Sequence, residues 1–151
     1  MALSFEIEMD REMSKSVLAY LRDSIAQMPF HQWLQPHVDE FDEETGTVTI
    51  SLAVRPEFRR DPDHPSVHGG LVAALIDIAG HAAAAASLRR GAPTIDLRVD
   101  YVRLASGPTL LATAQPIKIG RSIGLVDVRV SDDQGALVAT GRCVFSTQDR
   151  S

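Results

Sequence analysis

Residues 68–88 read His68-Gly69-Gly70-Leu71-Val72-Ala73-Ala74-Leu75-Ile76-Asp77-Ile78-Ala79-Gly80-His81-Ala82-Ala83-Ala84-Ala85-Ala86-Ser87-Leu88. After His68 the positions are apolar or small, except for Asp77 and His81. Such a run is long enough for a membrane span of about 20 residues. Two ionisable groups at its centre are expensive in lipid, however, and the alanine run Ala82 to Ala86 leaves it only weakly hydrophobic. The stretch is therefore predicted as a helix over 69–88 buried in protein.

The flanking sequence supplies what would bury it. Upstream, Met13, Val17, Leu21, Ile25 and Met28 recur at steps of three and four, one apolar stripe of a helix over about 10–28 that Pro29 ends. His31 to Phe41 reads as a strand, and Glu43-Glu44-Thr45-Gly46 as a turn. Val48, Ile50, Leu52 and Val54 alternate as in a half-buried strand. Residues 55–67 hold Pro56, Pro62 and Pro65 and read as a loop. Downstream, Gly91-Ala92-Pro93 stops the helix and four strand-like runs follow, at 94–101 and about 109–118, 122–131 and 136–146. In the first, Ile95, Leu97, Val99 and Tyr101 alternate with Thr94, Asp96, Arg98 and Asp100. Short turns at Ala105-Ser106-Gly107-Pro108, Gly120-Arg121 and Asp132-Asp133-Gln134-Gly135 predict an antiparallel meander. Only the 69–88 helix is long enough to cover its apolar face. An antiparallel sheet wrapped around a long central helix, with an additional N-terminal helix, is the α+β hotdog fold.

The whole chain, 151 residues with 44% hydrophobic content, predicts one domain with its own core. The net charge of −5, with no basic run, argues against nucleic acid and anionic membrane surfaces as partners. The start, Met1-Ala2-Leu3-Ser4-Phe5-Glu6, does not resemble a signal peptide, so a cytoplasmic location is expected. A single cysteine, Cys143, excludes an internal disulfide and reads as a core thiol on its strand. The five histidines show no metal-ligand spacing, because Pro65 spoils the helical geometry that His64 and His68 would need. Neither a cofactor nor a metal is implied. GxSxG and phosphate-loop motifs are absent, which argues against a serine hydrolase or a nucleotide enzyme.

On a helical wheel Gly70, Ala73, Ala74, Asp77, His81 and Ala84 fall within about 60° of one line. The two ionisable groups thus lie on a stripe of small residues, where a ligand or another helix can approach. A buried carboxylate costs several kcal/mol unless paired, so Asp77 is either bonded structurally or functional. His81 reads as orienting Asp77 or satisfying a core hydrogen bond, with direct acid–base work as the lesser reading. The glycine-rich N-terminus offers unpaired amides and the positive end of the helix dipole, which suits an oxygen gaining negative charge. Asp77 lies seven residues past Gly70, about 10 Å along the axis. One small reacting group cannot touch both. Two antiparallel helices in a twofold dimer would bring Asp77 of one chain to the Gly69-Gly70 end of the other.

His68-Gly69-Gly70 followed by Leu75-Ile76-Asp77 resembles the phenylacetic-acid-degradation (PaaI-like) branch of the hotdog thioesterase superfamily. Thr94 to Tyr101, Gly120-Arg121 and Gly135 with Ala139-Thr140-Gly141 add to the likeness, which covers most of 45–147. The resemblance implies hydrolysis of an acyl-CoA thioester, and the alanines near Asp77 leave space for an aryl or medium-length acyl group. It implies Asp77 as nucleophile or general base, the Gly70 amide polarising the thioester carbonyl, and His68 positioning the thioester. It also implies Thr94 or Asp96 orienting water, Gly69 beside the substrate, and Arg121, with Arg89 and Arg90, meeting CoA phosphates. A homodimer or homotetramer with sites shared between chains is expected. Many members carry asparagine six residues before the histidine. Pro62 stands there, so Asp63 or His64 would take over its role. Two other readings use the same fold: a non-catalytic acyl-CoA binding or sensing module, and an acyl-thioester dehydratase or hydratase pairing His81 with Asp77.

Overall fold

The central helix begins where the sequence places it, because His68 caps it. The backbone of His68 is extended, and its imidazole Nδ1 accepts from the Gly70 N–H at 2.9 Å. The computed structural model, which describes residues 2–149, then runs this helix from Gly69 to Leu88. Arg89 closes it in the left-handed region (φ 56°), its N–H donating to the Ala85 carbonyl. In chain order the elements are α1 (Ala2–Gln27), α2 (Pro29–Leu34), β1 (His37–Phe41), β2 (Val48–Ala53) and a 3₁₀ turn (Pro56–Phe58). They continue with β3 (Arg59–Asp61), β4 (His64–Val67), α3 (Gly69–Leu88), β5 (Thr94–Tyr101), β6 (Thr109–Ile119), β7 (Ile123–Asp132) and β8 (Leu137–Ser146).

Six strands form one antiparallel sheet in the order β1-β2-β6-β7-β8-β5, wrapped on α3. Leu75, Ile76, Ala79 and Ala83 of α3 are fully buried, against Ile50, Leu110, Val128 and Phe145 of the same core cluster. Two glycines permit the close approach. A Cβ on Gly141 of β8 would lie 2.4 Å from Ile76 Cγ2, and one on Gly80 of α3 would lie 2.7 Å from Cys143 Sγ. The apolar length of α3 is thus explained by the sheet around it.

Four local expectations need correction. The run 31–41 is not one strand: 29–34 form the short helix α2, and β1 starts only at His37. Pro29 both ends α1 and occupies the first turn of α2, where its missing N–H costs nothing. Gln35 (φ 61°) and Pro36 then end α2. The 55–67 loop contains the β3–β4 hairpin, closed by Pro62-Asp63, with the Asp63 N–H donating to Asp61 Oδ1 at 3.1 Å. The meander covers β6, β7 and β8 only. β5 lies at the far edge beside β8, and residues 102–108 cross back to β6. That crossover is held by main-chain bonds from Val102 and Arg103 to Val138 and from Val67 to Ala105. α1 begins earlier than the stripe implies, and of that stripe Val17, Leu21 and Ile25 are buried while Met13 and Met28 are exposed.

Candidate active site on the central helix

Asp77 is half-buried in the middle of α3, and its Oδ1 accepts from the Thr94 hydroxyl at 2.8 Å. Thr94 reaches it through a register shift. Along β5, Leu97, Val99 and Tyr101 pair with Cys143, Gly141 and Ala139, on the face toward α3. Strict alternation would turn Thr94 to the outer face with Asp96. Between Thr94 and Asp96 the ladder bulges, so Thr94 pairs with buried Phe145 and Asp96 with Val144. The extra residue, Ile95, re-aims one side chain. Of the two candidates on this strand, Thr94 therefore meets Asp77, and Asp96 points to the other face.

At the other end of the stripe, Gly69 and Gly70 form the first turn of α3. The Gly70 amide is occupied by His68 Nδ1, which leaves the ring proton of neutral His68 on Nε2. The Tyr101 hydroxyl donates to the Gly69 carbonyl at 2.8 Å, and a Cβ on Gly69 would lie 3.4 Å from that ring. Tyr101, an alternating residue of β5 within the stretch that carries the resemblance, thus fixes the glycine turn. A cavity of about 490 Å³ opens beside this turn, with Gly69, Gly70, Tyr101, Arg60 and Arg103 among its walls.

His81 lies one turn beyond Asp77, yet the two share no hydrogen bond among the described residues. Its Nε2 accepts from the Ala92 N–H at 3.3 Å, and its ring packs edge-on against Phe145 at 6.1 Å. That bond is to the segment leaving α3 and fits the core-hydrogen-bond reading. Burial lowers the His81 pKa from its ordinary value, Asp77 opposes that shift, and His31 reinforces it. His31 of α2 is a neighbour the sequence did not signal. Burial lowers its pKa as well, against the Ile25 carbonyl, which accepts from Nδ1 at 3.2 Å, and the charge of Asp77. Cys143 is fully buried, and burial pushes its thiol up to about 12, as for an inert core thiol.

The other candidates lie apart from this stripe. His64 sits on β4, its Nδ1 2.7 Å from the Ser66 hydroxyl, and Asp63 and Pro62 form the hairpin tip. Arg121 is in the β6–β7 turn beyond the C-terminal end of α3. Thr147, whose N–H donates to Ser122, ties that turn to Arg90, whose Nη2 donates to the Thr147 carbonyl at 2.5 Å. Arg89 lies over the Tyr20 ring at 5.9 Å. Among the described residues no three histidine, cysteine or carboxylate side chains cluster as a metal site.

Set against known proteins, residues 64–139 match the family model of the thioesterase superfamily. A thioesterase-superfamily protein of known structure is 34% identical, with a TM-score of 0.82 over 87% of this chain and 98% of its own. The PaaI protein of the Escherichia coli phenylacetic acid degradation operon shares the fold at 23% identity, with a TM-score of 0.78 over 89% of this chain and 94% of its own. An esterase homologue of Halobacterium salinarum is 36% identical over 94 residues, 56% of this chain and 62% of its own length. The Escherichia coli medium/long-chain acyl-CoA thioesterase YigI is 22% identical over 136 residues, 80% of this chain and 86% of its own.

Proposed function

The chain belongs to the thioesterase superfamily, and from that premise we propose that it hydrolyses acyl-CoA thioesters with an aryl or medium-length acyl group. The observation that carries this reading is the half-buried Asp77 on the small-residue stripe, held by the Thr94 hydroxyl. Ionised, the carboxylate acts as nucleophile or as the base that activates water, and Thr94 fixes its rotamer for either role. The thioester carbonyl lies at the Gly69-Gly70 turn, where the helix dipole and a backbone amide stabilise the oxyanion. For Gly70 to donate there, His68 Nδ1 gives up the cap and the substrate oxygen replaces it. The site is shared by two chains of a homodimer, because Asp77 and Gly70 of one helix stand about 10 Å apart. Pairing of such dimers would give a tetramer.

The test is thiol release across an acyl-CoA panel by wild type, Asp77→Ala, Asp77→Asn and Thr94→Val. Both Asp77 variants are expected to lose about a thousandfold or more in kcat, and Thr94→Val about tenfold, with KM little changed. Full activity in both Asp77 variants would remove the carboxylate from the mechanism. CoA binding by wild type without thiol release from any thioester would instead favour a binding module.

A further inference from the structure

The N-terminal turn of α3 stands between two cavities of different character. On one side is the cavity of about 490 Å³ that holds Arg60 and Arg103. On the other is a cleft of about 260 Å³ walled by Phe30, Trp33 and Phe58 and, from α3, by His68, Gly70 and Ala74. Gly70 lines both. The aromatic rings form one wall. Trp33 meets Phe58 edge-on at 5.4 Å and Phe30 at 6.2 Å. Phe58 is buried, whereas Phe30 and Trp33 are 53% and 54% exposed, so their open faces look for an apolar occupant.

Arg55 holds this wall. Its guanidinium carbon sits 4.4 Å from the Phe58 ring centroid and 5.8 Å from that of Trp33. Nη2 donates to the Trp33 carbonyl and Nη1 to Gln35 Oε1 at 3.1 Å. Nε lies 3.1 Å from Glu57 Oε1, which occupies the only carboxylate lining the cleft. One side chain thus ties α2 to the segment carrying Phe58.

We infer that the cleft between α2 and α3 is the acyl subsite, with Phe30, Trp33 and Phe58 as its specificity-determining wall and Arg55 as the residue positioning it. The inference rests on the thioesterase reading. A thioester carbonyl at Gly70 has its acyl group on one side and its CoA chain on the other. The long, phosphate-bearing arm matches the larger cavity with two arginines. The smaller cleft lies below the roughly 300–1,000 Å³ of drug-sized pockets. It takes one aromatic ring or a chain of medium length and disfavours longer chains such as lauroyl.

Trp33 is the chain's single tryptophan, so its emission reports occupancy of the cleft. Titration with the hydrolysis-resistant thioether S-(2-phenylethyl)-CoA is expected to change that emission saturably, and CoA alone to leave it unchanged. In parallel, kcat/KM is measured for phenylacetyl-CoA and lauroyl-CoA. Trp33→Ala and Phe30→Ala, both at exposed rings outside the buried core, are expected to shift the ratio toward lauroyl-CoA by about tenfold or more. Arg55→Met is expected to raise KM for phenylacetyl-CoA with kcat retained. An unchanged ratio in both alanine variants of an active enzyme overturns the inference alone. So does emission that responds to dilution of the protein but not to the thioether, since a second copy would then cover the rings. Absence of hydrolysis by wild type overturns the thioesterase reading instead, and the emission titration still decides the cleft.

Discussion

A carboxylate on an apolar helix needs a partner, and Asp77 has one only because a single residue bulges out of the neighbouring strand. Asp77 and His81 are visible in the sequence as the two ionisable groups of their helix. The bulge at Ile95 is not visible, because the alternating pattern of 94–101 reads as a regular strand. His81 illustrates the same limit, since its partner, the Ala92 amide, comes from the turn that ends the helix. Burial lowers its pKa, so below pH about 6.5 the unfolded chain binds the proton more readily than the folded one. Stability is therefore retained at pH 7 and lost as pH falls toward 5. Half-buried His31 adds to that loss, while Asp42 and Asp127, held below the ordinary carboxyl value by Thr45 and Arg142, act only at lower pH. Thermal melts of wild type and His81→Gln between pH 7 and 5 check this. The glutamine keeps an acceptor for Ala92 and is expected to give a shallower loss of Tm. Equal slopes would assign the loss elsewhere.

Among the elements, α3 and β8 are joined more tightly than their apolar patterns convey. Gly141 enters the sequence reading only as part of the resemblance, and its missing side chain is the space that Ile76 occupies. Gly141→Ala is expected to cost about 1–3 kcal/mol, read from urea unfolding. Because the clash is with Ile76, the cost should fall in an Ile76→Ala background, and a double-mutant cycle measures the difference. An equal cost in both backgrounds would place the strain in the strand itself. α2 is the opposite case. It is a helix of one and a half turns, too short for periodicity to reveal, and it carries His31 and the two exposed rings.

For the whole molecule, the sheet ends at β5 in an exposed edge, where Ile95, Tyr101, Val102 and Leu104 are more than half exposed. An open apolar edge of this kind can pair with a second copy, which the proposed dimer with shared sites would use. Complementation checks the sharing. Asp77→Asn and Gly70→Val are each expected to be inactive alone. Mixed and reassembled in equal amounts, they should recover about a quarter of wild-type activity, because half the dimers are hybrids and each hybrid has one intact site. If each chain built its own site, every site would carry a defect and no activity would return.

The sequence by itself determined the central helix from Gly69 to Leu88, the antiparallel sheet that covers it, and the stripe bearing Gly70, Asp77 and His81. Those features rest on periodicity and capping, which are local and written in neighbouring residues. Only the tertiary structure decided that β5 crosses to the far edge, that Thr94 rather than Asp96 meets Asp77, and that α2 brings His31 and Trp33 to the same helix. These depend on which strands pair and in what register, and a shift of one residue there turns a side chain from one face to the other.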